Sequence, residues 1–153
     1  MEDLTFDICI IGSGPAGQKA AIQASKFGKS VVIVDKEPEP GGQCLYTGTI
    51  PSKSLREAII DLTRFNERGF LSDECPLTEI TFQDLNKRLF KVIEEERNLV
   101  YRQLKKNNIR LINGIARFEN SHMLIVVDKD YKLLYQVKAE KFIITTGSNP
   151  RNP

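Results

Sequence analysis

A chain of 153 residues is about one domain's worth, enough for a single hydrophobic core and too short for two full domains. Hydrophobic residues make up 41% and charged residues 27%, an ordinary globular balance, and a net charge of only +2 with Lys and Arg interleaved among Asp and Glu argues against a nucleic-acid surface. No apolar run approaches the roughly 20 residues needed to cross a bilayer, and three widely spaced cysteines make neither a zinc pattern nor a secreted disulfide framework, so a cytoplasmic protein without membrane or metal partners is expected.

The apolar run Ile8-Cys9-Ile10-Ile11 predicts a strand, with Cys9 as a small buried hydrophobe inside it. Gly12, Gly14 and Gly17 follow directly at G-x-G-x-x-G spacing. After a strand, the first glycine allows a tight turn, the second leaves no side chain between the backbone and a pyrophosphate, and the third lets the next helix sit close to the sheet. Pro15 suits a first helical turn, where its missing N–H costs nothing, and the free N–H groups from Gly14 through Ala16 to Gly17 make, with the helix dipole, an anion site. The helix should run from about Pro15 to Phe27, with Ala16, Ala20, Ala21 and Ala24 allowing close approach to a sheet and Gly28 ending it. Val31-Val32-Ile33-Val34 predicts a second strand that leads into Asp35, about 20 residues past the glycines, where an acidic side chain accepts hydrogen bonds from a ribose. A carboxylate there disfavours a 2′-phosphate, so NAD or FAD fits this site better than NADP.

Pro38, Pro40, Gly41 and Gly42 mark a loop after Asp35, and Leu55, Ile59, Leu62 and Phe65 recur at helical spacing from about Ser52 onward. Three segments resemble the FAD domain of the pyridine nucleotide-disulfide oxidoreductases: Ile11-Gly12-Ser13-Gly14-Pro15-Ala16-Gly17, Gly41-Gly42-Gln43-Cys44 and Gly48-Thr49-Ile50-Pro51-Ser52-Lys53. The resemblance implies a Rossmann-like FAD-binding domain, with FAD as cofactor held at Gly12, Gly14, Pro15, Ala16 and Gly17, at Asp35 and Lys36, and along Gly41, Gly42, Gln43, Cys44, Thr49 and Lys53. Members of this family place a second cysteine at the position of Thr49, forming a redox disulfide with the one matching Cys44. A threonine hydroxyl cannot close a disulfide, so relay through a dithiol is not expected. The branch of the family that shares the G-T-I-P-S-K segment passes hydride from NADPH to NAD. By that likeness the expected function is FAD-dependent hydride transfer between NADP(H) and NAD(H) without a redox disulfide. A disulfide reductase of the lipoamide dehydrogenase type and a non-catalytic FAD-binding module are the alternatives. Cys44 and Lys53 are the candidate catalytic residues. Cys44 is expected to pack near the isoalloxazine, with a reactive thiol or a loop-lining role as alternatives, and Lys53 to stabilise negative charge on the ring system as hydride arrives.

Asn66 to Thr81 reads as a polar surface connection in which Cys75, beside Pro76, is incidental. A long helix is predicted from about Phe82 to Lys106, with Phe82, Leu85, Leu89, Val92, Ile93, Leu99, Val100 and Leu104 on its core side. Thr81 and Asp84 approximate a capping box at its start, Ile80 and Leu85 a hydrophobic staple, and Asn107 and Asn108 end it. Ile109 to Ile112 predicts a third parallel strand, after which residues 113–118 turn away, and the resemblance assigns the backbone of Ala116 to the adenine. His122 to Asp128, Leu133 to Lys138 and Lys141 to Thr146 predict three further strands, the first two a hairpin, hence a small antiparallel β-meander beside the parallel sheet. His122, the one histidine, is not expected to act as a base. Thr145-Thr146-Gly147-Ser148 resembles the family's glycine turn against the flavin nucleotide, which implies contacts from Thr146 and Gly147. The likeness covers essentially all of residues 1–153 but only the opening part of a family member. The expectation is therefore the N-terminal part of a FAD-binding domain, inactive alone, with the NAD(P)-binding and dimerisation domains lying outside it and a homodimer at full length.

Overall fold

In a computed structural model, which describes residues 2–67 and 81–149, the chain divides into two units. One combines residues up to Gly42 with those from Arg97 onward, and the other is Gln43–Glu96. The first unit holds a six-stranded sheet made of β1 (Glu2–Ile11), β2 (Val31–Asp35), β3 (Arg110–Asn113), β4 (Ile115–Asn120), β5 (Met123–Val127) and β6 (Leu133–Ile144). Its order is β3-β2-β1-β6-β5-β4. The strands β3, β2, β1 and β6 pair in parallel, while β5 pairs antiparallel with both β6 and β4. The helix α1 (Pro15–Lys26) connects β1 to β2.

The central strands are apolar on both faces because both faces are covered. Successive side chains point to opposite sides of a strand. Accordingly Cys9, Val32, Val34 and Ile112 join Leu124, Val126, Val137 and Ala139 in one core cluster, whereas Ile10, Val31 and Ile33 join Ala21, Leu104 and Ile109 in another. Ala20 and Ala24 of α1 pack on the second cluster, as their small size predicts. The helix stops where Gly28 takes φ +76° and the N–H of Lys29 turns back to the Ala24 carbonyl.

The remaining helices are α2 (Gly42–Tyr46), α3 (Thr49–Glu67) and α4 (Phe82–Lys106), the last running through the boundary at Arg97. The bounds of α4 match the sequence reading, and so does its capping box. The Thr81 N–H donates to Asp84 Oδ2 at 3.1 Å, and the Asp84 N–H to Thr81 Oγ1 at 3.3 Å. Ile80 of the staple, Cys75 and Pro76 of the connection, and the side chain of Phe65 lie outside the described residues.

Several expectations are corrected by tertiary pairing. The first strand begins at Glu2 rather than in the apolar run, because Glu2 to Phe6 pair with Tyr135 to Ala139 of β6, a long-range ladder that local apolarity does not register. The segments Leu133 to Lys138 and Lys141 to Thr146 form one strand, β6, which ends at Ile144 and continues through an exposed Glu140. The turn expected after β3 is a single residue, Gly114 at φ +154°, and β4 follows at once, pairing Ile115 to Phe118 with Leu124 to Val127. The loop after Asp35 contains α2, a helix too short to leave a periodic signal, and α3 starts at Thr49, ahead of Ser52, and reaches past Asn66. On α3, among the described residues, Ala58 is buried, while Ile59 is 47% exposed. On α4, Leu85, Leu89, Val92, Ile93 and Val100 are half-buried and Leu104 is buried, but Phe82, the first residue of the helix, and Leu99, at the edge of the stripe, are exposed.

Candidate functional site

The site begins where β1 and β6 end side by side. Gly12 leaves β1 at φ +107°, a conformation that side chains resist, with its N–H on the Val34 carbonyl at 2.8 Å. A Cβ there would stand 2.4 Å from the Thr145 carbonyl oxygen, and a Cβ at Gly17 would stand 2.0 Å from the Gly12 carbonyl oxygen. Thr145 fastens the turn from the other side. Its N–H donates to the Ile11 carbonyl at 2.8 Å, and its hydroxyl donates to the Ile11 and Gly12 carbonyls, each at 3.0 Å.

Gly14 differs from every other described glycine. Its φ of −67° suits any residue, and a Cβ built on it would meet nothing within 4 Å. Elsewhere an intramolecular reason is present: positive φ at Gly12, Gly28, Gly41, Gly42, Gly114 and Gly147, and close backbone neighbours at Gly17 and Gly48. Gly14 is also the N-cap of α1, with Pro15 at the first helical position, and having no side chain it leaves the first-turn N–H groups to some other acceptor. Pro15 and Ala16 are exposed at this end. An open backbone surface at a positive helix end is a cradle for an anion.

Ser13 links this turn to the end of β2. It is fully buried, and both its N–H and its hydroxyl donate to Asp35 Oδ2, at 2.6 and 2.5 Å. The other carboxylate oxygen, Oδ1, takes the Glu37 N–H at 2.9 Å. The Ser13 carbonyl receives the Gly41 N–H at 3.2 Å, and Gly42, at φ +64°, comes so near that a Cβ on it would lie 2.9 Å from Gly14 Cα. Gly12, Gly14, Gly17, Asp35, Gly41 and Gly42 are thus brought together in one unit. Asp35 also accepts the Gly114 N–H on its backbone carbonyl at 2.8 Å, which sets the β3–β4 corner beside it, and half-buried Ala116 follows on β4. Lys36, Thr146 and Gly147 are exposed, the last two directly after Thr145.

Gln43, Cys44, Thr49 and Lys53 belong to the second unit. The Gln43 carbonyl receives the N–H groups of Thr47 at 3.0 Å and Gly48 at 2.7 Å, closing α2. Cys44 is half-buried on α2, Thr49 is the exposed first residue of α3, and Lys53 is exposed one turn further on. Cys44 and Cys9 are both free thiols, and burial pushes the Cys9 thiol up to about 12, which removes it from chemistry at neutral pH. The sequence reading missed Ser13 and Thr145 as site residues. Ser13 lay in plain view between two glycines, but the signal was its confinement there, where a hydroxyl must find a buried acceptor.

The sequence pattern of the pyridine nucleotide-disulphide oxidoreductase family matches residues 6–153. The soluble pyridine nucleotide transhydrogenase of Mycobacterium tuberculosis is 44% identical over 149 residues, covering 97% of this chain and 32% of the relative. That of Chromohalobacter salexigens is 38% identical over 148 residues, again covering 97% and 32%. Among solved structures, a Cu(II) complex of the HOCl-induced flavoprotein disulfide reductase RclA from Escherichia coli superposes with a TM-score of 0.76 at 28% identity, over 97% of this chain and 30% of that one. The chain therefore spans about a third of the length of the curated relatives it matches.

Proposed function

The chain belongs to the pyridine nucleotide-disulphide oxidoreductase family, and on that premise we propose that it is the N-terminal part of a FAD-binding domain in an enzyme that moves hydride from NADPH to NAD. The observation that carries the cofactor is Gly14: open backbone at the uncapped start of α1, with the Asp35 carboxylate at the end of the neighbouring strand. FAD, when bound, supplies the two-electron carrier between the two nicotinamides. This chain's own residues position it. The turn of Gly12, Gly14, Pro15, Ala16 and Gly17 holds the pyrophosphate, and Asp35, with Lys36 beside it, takes the adenosine ribose. The backbone of Ala116 meets the adenine, and Gly41, Gly42, Thr146 and Gly147 let the chain approach the nucleotide without side chains in the way. On the strength of the motif, Gln43, Cys44, Thr49 and Lys53 are assigned to the flavin end, where the Lys53 ammonium balances negative charge on the ring system.

Thr49 decides between reactions within the family. A hydroxyl where a second sulfur would be needed leaves Cys44 without a partner in its own segment, which favours transfer between nicotinamides over disulfide reduction. Likeness to a flavoprotein disulfide reductase supports the second reading, in which a thiol substrate is reduced through another cysteine. No described helix is long and apolar enough to cross a membrane. The substrates, a cytoplasmic location and a homodimer at full length complete the proposal. The test is purification of the protein at the relatives' full length, followed by assay of hydride transfer from NADPH to thio-NAD and of NADPH-dependent reduction of lipoamide and glutathione disulfide. Transfer to thio-NAD without disulfide reduction is the expected result, and the reverse pattern overturns it.

A further inference from the structure

We infer that Ser13 is the positioning residue for the ribose-binding carboxylate, holding Asp35 so that the site selects its dinucleotide by the hydroxyl groups of the adenosine ribose; this rests on the reading that the site takes FAD. Ser13 is the one fully buried polar residue among those described, so its hydroxyl has no recourse to water. It donates from Oγ and from the backbone N–H to the same atom, Asp35 Oδ2, while the Glu37 N–H occupies Oδ1. An ionised carboxylate offers about four acceptor positions. With those three donors in place, one position remains, on Oδ1. Ser13 is itself held from two directions, since its carbonyl receives Gln18 Nε2 at 2.7 Å from α1 and the Gly41 N–H from the loop after β2. Rotating the carboxylate therefore means breaking two charge-assisted bonds to a residue that cannot follow.

The consequence is a preorganised, acceptor-only contact. It rewards a ligand that brings a hydroxyl donor to Oδ1 and penalises one that brings a phosphate oxygen. Removing the Ser13 hydroxyl leaves Oδ2 held by the Ser13 backbone N–H alone and loosens the carboxylate, which costs affinity only for ligands that use it. A purely structural Ser13, bracing the glycine turn, would weaken every ligand of the cradle alike.

The experiment uses apo-protein of the relatives' full length, titrated with FAD and with the FAD analogue whose adenosine carries 2′,3′-dideoxyribose, for the wild type and for Ser13→Ala and Ser13→Gly. The second variant keeps the comparison alive should the first not fold. The expected result is that both variants weaken FAD binding roughly tenfold while changing the dideoxy analogue less than about twofold. Equal losses for the two ligands, no loss for either, or a wild type that fails to distinguish them overturns the inference. A wild type that takes up no FAD overturns instead the reading on which it stands.

Discussion

At Gly14 an added methyl group meets open space, whereas at Gly17 it meets a carbonyl oxygen at 2.0 Å. The two glycines of one motif should thus fail in different ways. Gly14→Ala is expected to leave stability within roughly 1 kcal/mol of wild type, since only the N-cap changes, yet to lower FAD affinity at least about tenfold. Gly17→Ala is expected to cost roughly 2 kcal/mol or more of stability, because α1 must move off the sheet. Thermal melts of the apo forms alongside flavin titrations check both, and a Gly14→Ala protein with unchanged affinity removes the pyrophosphate from the proposed cradle. Cys9 makes a third case. Fully buried and with its thiol raised to about 12, it should stay unmodified by iodoacetamide at about pH 8 until the protein unfolds, as peptide mass spectrometry would register. The glycines and Asp35 were legible in the sequence because they stand at the fixed spacing of one motif, which assigns no role to the hydroxyls between and beyond them. Ser13 and Thr145 were not, because the partners that give them roles lie 22 and 133 residues away.

Among the elements, α4 has the bounds the sequence predicts, since a capping box opens it and Asn108, at φ +52°, closes it. The Thr81 hydroxyl, then Lys87, hold the Asp84 carboxyl down at about 2, below its ordinary 3.8. A lowered carboxyl stabilises the helix start above its unfolded value, and that contribution is lost as pH falls from about 3.8 toward 2. The protection factors of the Asp84 and Leu85 amides should fall through that window while Leu104, at the buried end, keeps its protection. Replacing Thr81 with Ala should cost about 1 kcal/mol of local stability and raise the Asp84 carboxyl toward its ordinary value, measurable by NMR titration. An Asp84 titration unmoved by that replacement would show that Lys87 alone sets it. The stripe on α4 was legible as period but overcounted, because periodicity does not show where along the helix the packing partners stop, at Phe82, or how wide the covered face is, at Leu99. The five residues of α2 and the fusion of two predicted strands into β6 were hidden for a common reason: short elements and charged interruptions such as Glu140 are resolved by pairing partners, not by local pattern.

For the whole molecule, alternating strands and a helix announced an α/β fold with a parallel sheet, and the hairpin signal announced the meander. The order β3-β2-β1-β6-β5-β4 was out of reach, because placing β6 against β1 requires a ladder between Glu2–Ile11 and Tyr135–Ile144 that only the folded sheet defines. The proposed chemistry rests on one substitution, Thr49 in a segment that otherwise keeps Cys44 and Lys53, because a hydroxyl cannot close a disulfide with Cys44. A protein that handles electrons at its flavin alone has a fixed capacity for them. Anaerobic titration of the flavin-loaded, full-length protein with NADPH measures that capacity directly. The expected result is complete bleaching of the flavin at about one NADPH per flavin, with nothing more taken up. Uptake of about two NADPH per flavin would reveal a thiol pair accepting electrons and would contradict the account.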